Sequence, residues 1–310
     1  MWCFFVRSFI VSLVMVWSVV AELSFVATAE REGKMVDMSS LEFVPMPPMR
    51  HRRHGPPSQP SDDFPSDDFP SDLVDPRHKG RRNDGGGSNS NDGYNPNPIS
   101  YSGNWCGASQ HVNSSDQISN AFAYFTTPDL KLRDGMSAPQ FAAAWVGIDG
   151  ASCRSVLLQA GVTTVVNSNG GQSAWAWWEW YPEAAYSISG LPVKPGDWMS
   201  VNITASSPKS GKIIIANLQR GYSVTLSISN GPALCRVDAE WIVEDFYDGG
   251  GQVPFASFSD VWFEETSLTT DRGRKMGLDG AAIVYLQNTT GAVTCSAAQY
   301  DRSNFVVWSR

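Results

Sequence analysis

Short segments of apolar and polar residues recur from Ile99 to the C-terminus of the chain. Residues 223–228 alternate with a period of two, which is typical of a β-strand with one buried face. Similar runs, rich in Val, Ile, Thr and aromatic residues and bounded by Gly, Asn, Asp or Pro, cover residues 121–126, 143–148, 198–204, 212–217 and 282–286. No convincing helical period extends beyond two turns. The pattern predicts one all-β domain, a sandwich or barrel, over residues 99–310.

The first 29 residues have the pattern of a secretory signal peptide. An apolar run over residues 9–17 follows Arg7, and Ala27-Thr28-Ala29 supplies a small-x-small cleavage site before Glu30. The alternative, a membrane anchor, is less favoured because the run is short and Glu22 interrupts it. We therefore predict a secreted, extracellular protein with no membrane contact after signal cleavage.

Residues 30–98 have a composition that does not favour folding. They contain a tandem repeat over residues 61–70, a Gly-Ser-Asn run over residues 85–91, and many Pro and charged residues. Such a segment buries too little apolar surface to offset the chain entropy lost on folding. We predict that this segment is a disordered propeptide or linker and is cleaved near Lys79-Gly80-Arg81-Arg82. As a propeptide, it would act as an intramolecular inhibitor of the domain that follows. The alternative is a plain spacer.

The charge and cysteine content narrow the class of protein. With 31 acidic and 23 basic residues the net charge is −8, so we expect no nucleic-acid partner, which would require a basic surface. Four cysteines follow the signal peptide: Cys106, Cys153, Cys235 and Cys295. In an oxidising compartment they predict two disulfides, and three pairings are possible. Sequons at Asn113, Asn202 and Asn288 predict N-glycosylation.

The inventory of reactive side chains excludes several chemistries. His111 is the only histidine in the predicted domain, so a Ser-His-Asp or Cys-His site would depend on one loop residue. No histidine-rich zinc motif and no glycine-rich phosphate loop is present. We therefore expect carboxylates and amides to carry any catalysis, with no metal and no cofactor.

Three segments combine such groups with apolar or aromatic neighbours. Gln159 lies inside an apolar strand pattern, and residues 174–183 alternate tryptophans with Glu179. In residues 238–246, Glu240 and Glu244 share one strand face. Each segment also has a purely structural interpretation. Gln159 could be a solvated glutamine, residues 174–183 could form an aromatic core with a hydrogen-bonded glutamate, and residues 238–246 could be a half-exposed strand. A cleft with aromatic walls is the functional interpretation.

These segments, in this order, resemble the eqolisins, the glutamic peptidases, a mostly fungal family of secreted acid proteases. The resemblance extends from about Ser102 to near the C-terminus. The matching motifs are Asn104-Trp105, W-V-G-I-D-G at 145–150, L-Q-A-G at 158–161, W-W-E-W-Y-P at 177–182, A-E-W-I-V-E-D-F at 239–246 and V-P-F-A-S-F at 253–258. One departure is Trp175, which stands where relatives carry an acidic residue.

The resemblance implies a fold and a site. The fold is a sandwich of two antiparallel, curved sheets of the concanavalin A-like or jelly-roll type, with a substrate cleft. The catalytic pair is Gln159 and Glu244, rather than Glu240. The residues that line or support the cleft are Trp105, Trp145, Asp149, Trp177 and Glu179. The implied disulfides are Cys153–Cys235 and, as the remaining pair, Cys106–Cys295.

These expectations combine into a hypothesis about mechanism. A monomeric enzyme would cleave polypeptide substrates, with Glu244 as general base and then acid, and Gln159 as oxyanion stabiliser. The competing hypothesis is a β-sandwich glycoside hydrolase, or a carbohydrate-binding module, that stacks sugars on the tryptophans. A glycosidase with two carboxylates would leave Gln159 without an essential role.

Overall fold

The computed structural model describes residues 22–46 and 97–310. Within these ranges the secondary structure consists of β-strands and one short 3-10 helix (Met38–Ser40), and no helix is long and apolar enough to cross a membrane. The strands are β1 (Ser24–Arg31), β2 (Lys34–Met35), β3 (Glu42–Met46), β4 (Ile99–Ser102), β5 (Trp105–His111), β6 (Ile118–Thr126), β7 (Leu130–Lys131), β8 (Gln140–Ile148), β9 (Leu157–Val166), β10 (Gln172–Tyr181), β11 (Ala185–Ser189), β12 (Trp198–Ser207), β13 (Ser210–Asn217), β14 (Tyr222–Ser229), β15 (Asp238–Glu244), β16 (Tyr247–Asp248), β17 (Gly251–Gln252), β18 (Ser257–Phe258), β19 (Val261–Thr270), β20 (Lys275–Met276), β21 (Ala282–Gln287), β22 (Val293–Gln299) and β23 (Phe305–Ser309).

The strands form two layers. The first sheet runs β3-β11-β10-β9-β8-β15-β5-β21, and the second runs β2-β1-β14-β13-β12-β6-β19-β23. Strand β22 pairs with both β21 and β23 and so connects the layers. These ladders are antiparallel, whereas β4 pairs with β21 in parallel. The predicted all-β sandwich is confirmed.

The alternation of side chains divides the central strands between two apolar clusters. Trp178, Trp180 and Trp241 point into the core between the sheets, where they are fully buried. The opposite face of the same strands contributes Trp177 and Ile242 to a second cluster. This aromatic cluster consists of Trp105, Ala143, Trp145, Leu157, Trp177, Ile242, Phe246, Val253 and Val284. Tryptophan on both faces of β10 is therefore explained by two separate apolar surfaces.

Residues 24–46 differ from the predicted disordered leader. Strand β1 pairs with β14, and β3 pairs with β11, so both strands are added to sheet edges. Residues 23–29 alternate between inward Phe25 and Ala29 and exposed Val26, a period-two pattern that an edge strand can use. The prediction of disorder is therefore wrong for residues 30–46. The predictions for residues 1–21 and 47–96 lie outside the described residues.

Two disulfides link segments of the sandwich that are distant in sequence. Cys106 on β5 is bonded to Cys295 on β22, and Cys153 is bonded to Cys235, close to the start of β15. These are the two pairs that the resemblance implied. Cys153–Cys235 links the two segments that precede β9 and β15, the strands carrying Gln159 and Glu244.

Candidate active site

Glu244 is held by two neutral hydrogen-bond donors at the end of β15. The side-chain amide of Asn104 donates from Nδ2 to Oε1, and the indole of Trp145 donates from Nε1 to Oε2, each over 2.8 Å. Glu244 is fully buried. A buried carboxylate is costly unless its oxygens are hydrogen-bonded, and here each oxygen has a donor.

The backbone pairing explains how Asn104 reaches Glu244. Trp105 lies directly opposite Glu244 in the β5–β15 ladder, so the preceding residue sits beside the end of β15. Ser102 Oγ accepts the backbone amides of Asn104 and Trp105 over 3.2 and 3.0 Å, and donates to Asn104 Oδ1 over 3.3 Å. This last bond turns the amide nitrogen of Asn104 toward Glu244. The sequence analysis did not assign Asn104 a role, although the Asn104-Trp105 motif marked its position.

Gln159 is oriented by the glutamate opposite it. It lies on β9 directly across from Glu179 on β10, and its Nε2 donates to Glu179 Oε2 over 2.5 Å. Both side chains are fully buried. Glu179, predicted to support the cleft, therefore holds the amide of Gln159 by its nitrogen end.

Trp145 lies against two glycines that leave room for its indole. A Cβ at Gly147 would lie 2.9 Å from Trp145 Cζ3, and a Cβ at Gly161 would lie 2.5 Å from Trp145 Cβ. Neither position accepts a larger residue unless Trp145 shifts. The edge-to-face contact with Trp105, at 5.1 Å between ring centroids, further fixes the indole that donates to Glu244.

The same packing separates Glu240 from Gln159. In the β15–β8 and β8–β9 ladders Glu240 is in register with Gly147, and Gly147 with Gln159, so no side chain of β8 stands between them. The space over Gly147 is nevertheless filled, because a Cβ there would lie 2.8 Å from Leu157 Cδ1 and 2.9 Å from the Trp145 ring. Glu240 is therefore screened from Gln159 by apolar atoms.

Glu240 belongs to a group of buried acids behind this screen. Its carboxyl oxygens have no hydrogen-bond partner among the described residues. Burial, followed by the charges of Asp238 and Asp149, raises the pKa of Glu240 well above its ordinary value, and the nearby backbone amide of Ala151 only partly opposes this. A carboxyl group in such surroundings is neutral at acid pH. Glu240 thus differs sharply from Glu244.

Asp149 has a structural role in this arrangement. Its two oxygens accept the backbone amides of Arg236 and Val237, each over 2.9 Å, and the residue is fully buried. Burial raises the pKa of Asp149, while these amides lower it. Asp149 therefore anchors the segment that leads into β15. The aromatic cluster contains the three tryptophans that were predicted to line the cleft, Trp105, Trp145 and Trp177.

His111, Asp238 and Ser152 form a further polar cluster, but its geometry does not suit a serine nucleophile. His111 Nδ1 lies 2.8 Å from Asp238 Oδ1, and Ser152 Oγ donates to Asp238 Oδ2 over 2.7 Å. Ser152 Oγ also lies 3.5 Å from His111 Nδ1, the same ring nitrogen that contacts Asp238, so the imidazole does not bridge serine and carboxylate through its two nitrogens as a catalytic triad does.

The described residues also bring Asp149, Cys153 and Cys235 within metal-ligand distance of one another. Because the two sulfurs form a disulfide, this group offers a metal only one carboxylate.

Comparisons with known proteins show which family this chain resembles. The Peptidase A4 family matches residues 103–309. The chain is 33% identical to Aspergillopepsin-2 of Aspergillus niger over 220 residues, which cover 65% of this chain and 76% of that protein. It is 36% identical to Scytalidopepsin B of Scytalidium lignicola over 205 residues, 63% of this chain and 74% of that protein.

Solved structures of glutamic peptidases are also similar to this chain. A crystal structure of scytalido-glutamic peptidase with a transition state analog inhibitor is similar with a TM-score of 0.59 and 31% identity, over 67% of this chain and 98% of that one. The aspergilloglutamic peptidase from Aspergillus niger gives a TM-score of 0.52 and 36% identity, over 55% of this chain and 99% of that one.

Proposed function

Because this chain belongs to the Peptidase A4 family, the glutamic peptidases, we propose that it is a secreted acid endopeptidase whose chemistry is carried by Glu244 and Gln159. One observation carries this assignment. Of the two glutamates on one face of β15, Glu244 alone has both oxygens held by hydrogen-bond donors, while Glu240 is screened from Gln159.

Glu244 acts first as a base and then as an acid. In its ionised form it deprotonates a water that attacks the scissile carbonyl, and it then returns the proton to the leaving nitrogen. Asn104 and Trp145 hold the carboxylate in place, and because both are neutral they do not trap it in the ionised state as an arginine would. No metal or covalent intermediate takes part.

Gln159 stabilises the oxyanion that forms during this attack. Its side-chain amide donates to the developing negative charge, and removing one such donor typically slows turnover by about 10²–10³-fold. Glu179 sets the direction of that amide. The amide nitrogen carries two N–H donors, so one can stay on Glu179 while the other is offered to the oxyanion.

The surroundings of Glu244 favour catalysis at acid pH. Burial, and then the charge of Glu244, raise the pKa of the adjacent Asp245 to about 8, although Arg133 opposes the shift. At acid pH Asp245 is therefore neutral and adds no negative charge beside Glu244. Protonation of Glu244 itself limits activity at the lowest pH, so the profile is bell-shaped.

The N-terminal part of the chain is assigned to export and processing. A signal peptide directs secretion, cleavage at the dibasic site near residues 79–82 cuts the chain ahead of domain 99–310, and the propeptide inhibits the enzyme until then. Of the three predicted glycosylation sites, Asn113 and Asn288 are exposed, and Asn202 is half-buried within β12.

The glycoside hydrolase alternative is not favoured. Retaining and inverting glycosidases use two facing carboxylates. Here Glu179 is engaged with Gln159, and Glu240 lies behind Trp145 and Leu157, so these two glutamates already have other surroundings.

The test is to incubate the purified secreted protein with denatured casein and with β-glucans from acid to neutral pH. We expect casein to be cleaved with an acid optimum, unchanged by a metal chelator or a serine-reactive inhibitor, and the glucans to stay intact. Glucan hydrolysis, or loss of casein cleavage with the chelator, would contradict the proposal.

A further inference from the structure

Residues 23–46 cover both open edges of the sandwich. All eight residues of β1 pair with β14, from Ser24 opposite Ser229 to Arg31 opposite Tyr222. All five residues of β3 pair with β11, from Glu42 opposite Ser189 to Met46 opposite Ala185. Without these partners, β14 would be the edge of the second sheet and β11 the edge of the first.

An aromatic contact ties the two added strands to each other and to the core. The Phe25 ring of β1 lies 5.1 Å from Phe43 of β3, 4.9 Å from Trp178 of β10 and 5.4 Å from Tyr186 of β11, measured between centroids. Ala29 is also buried, at 1% exposure, whereas Val26 is 71% exposed. The inward face of β1 is therefore built to fit the space between the sheets.

This segment is an addition to the family domain. The family match begins at residue 103, so it includes β11 and β14 but neither β1 nor β3. Open strand edges invite pairing with other chains, and a secreted protein benefits from covering them.

We propose that the edges of β14 and β11 are a strand-docking site for residues 23–46, and that this segment stays bound to domain 99–310 after the linker is cut. The mode of binding is strand addition, in which main-chain hydrogen bonds supply affinity and inward side chains supply specificity. The proposal does not depend on peptidase activity. It makes the secreted protein a complex of two chains once residues 79–82 are processed.

Retention of residues 23–46 requires that the signal peptide be cleaved before residue 23, and not after Ala29. Cleavage after Ala29 would divide β1 in its paired region, where Ala29 lies opposite Val224. Val19-Val20-Ala21 ends the N-terminal apolar run with a small residue directly before Glu22, and cleavage there leaves the segment whole. N-terminal sequencing of the secreted protein should detect a chain that begins at Glu22. A chain beginning at Glu30, or a preparation without residues 22–46, would overturn the proposal.

Retention of the segment is tested by cutting the linker. A specific protease site replaces residues 85–91 of the full chain, and the cut protein is diluted and separated by size-exclusion chromatography with mass detection. We expect the N-terminal fragment to elute with the domain. Phe25→Ala should raise its dissociation constant about tenfold or more, because it removes a partly buried ring that packs against Phe43, Trp178 and Tyr186. Val26→Ala, its exposed neighbour, should have no measurable effect.

Separation of the wild-type fragment upon cutting would refute the proposal, as would equal retention of the two variants. Near-UV circular dichroism checks that the domain is folded in each variant. If the Phe25→Ala chain does not fold, synthetic peptides of residues 22–46 carrying either substitution are instead added to the cut wild-type protein. The Val26→Ala peptide should then exchange with the bound fragment and the Phe25→Ala peptide should not.

Discussion

Glu240 and Glu244 lie four residues apart on the same face of β15 and are both fully buried, yet their surroundings are opposite. Glu244 receives one neutral donor on each oxygen. Glu240 has no side-chain donor among the described residues and faces two other acids, Asp149 and Asp238. Burial alone therefore does not identify a catalytic carboxylate. The donors around it decide whether it can carry a charge.

The largest expected effect comes from exchanging each glutamate for its amide. Glu244→Gln removes the group that takes and returns the proton, so peptide hydrolysis should fall by about 10²–10⁴-fold. Glu240→Gln is the matched control on the same strand face and should keep turnover within the same order of magnitude. Initial rates on a peptide substrate measure both. Comparable losses in both variants would remove the distinction between the two sites.

The next effect concerns the other half of the catalytic pair. Gln159→Ala should lower kcat by about 10²–10³-fold with a smaller change in KM, because the lost hydrogen bond forms mainly to the oxyanion. Thr163→Ala, on the same strand face as Gln159 and equally buried, is the control and should have little effect. A change confined to KM would show that Gln159 only binds substrate.

A smaller effect should follow loss of either donor to Glu244. Asn104→Ala or Trp145→Phe removes one hydrogen bond from the carboxylate, and bonds to charged groups contribute about 1.5–3 kcal/mol. The acid limb of the rate profile should move to higher pH, since the ionised form has lost a donor. Rate profiles over the acid range measure the shift. An unmoved limb with a merely lower rate would indicate a structural role for the two donors.

The last effect is on stability and leaves turnover aside; it concerns the buried acids with raised pKa. Between the unfolded pKa and the raised folded pKa the native state holds the extra proton, so stability is greatest at acid pH and falls as pH rises. For Asp245 this window extends to about 8, and the loss is at most about 1.4 kcal/mol per pH unit. Asp245→Asn and Glu240→Gln should reduce the slope of Tm against pH. An unchanged slope would contradict the neutral state of these residues.

The sequence predicted much of the sandwich because its determinants are local. The alternation along β10 and β15 is such a local determinant, and it separates Trp178 and Trp241 in the core from Trp177 and Ile242 in the aromatic cluster. The distinction between Glu240 and Glu244, in contrast, came from the ordered family motifs. Its physical basis lies in Asn104 and Trp145, which are remote in sequence and reach Glu244 only through the β5–β15–β8 ladders.

The N-terminal strands were not predicted for a related reason. Phe25 and Ala29 lie in a segment whose apolar and small residues are equally typical of a signal peptide. Strand β1 is supported by β14, almost two hundred residues away, and β3 by β11. An edge strand of this kind is defined by a partner that its own sequence does not reveal.

The most direct test of the contrast on β15 is the infrared stretch of protonated carboxyl groups, measured at pH 6 in the wild type, Glu240→Gln and Glu244→Gln. If Glu240 is neutral and Glu244 ionised, part of this band disappears in Glu240→Gln and the band persists in Glu244→Gln. Loss of the band in Glu244→Gln, with no change in Glu240→Gln, would contradict the assignment of Glu244 as the ionised base.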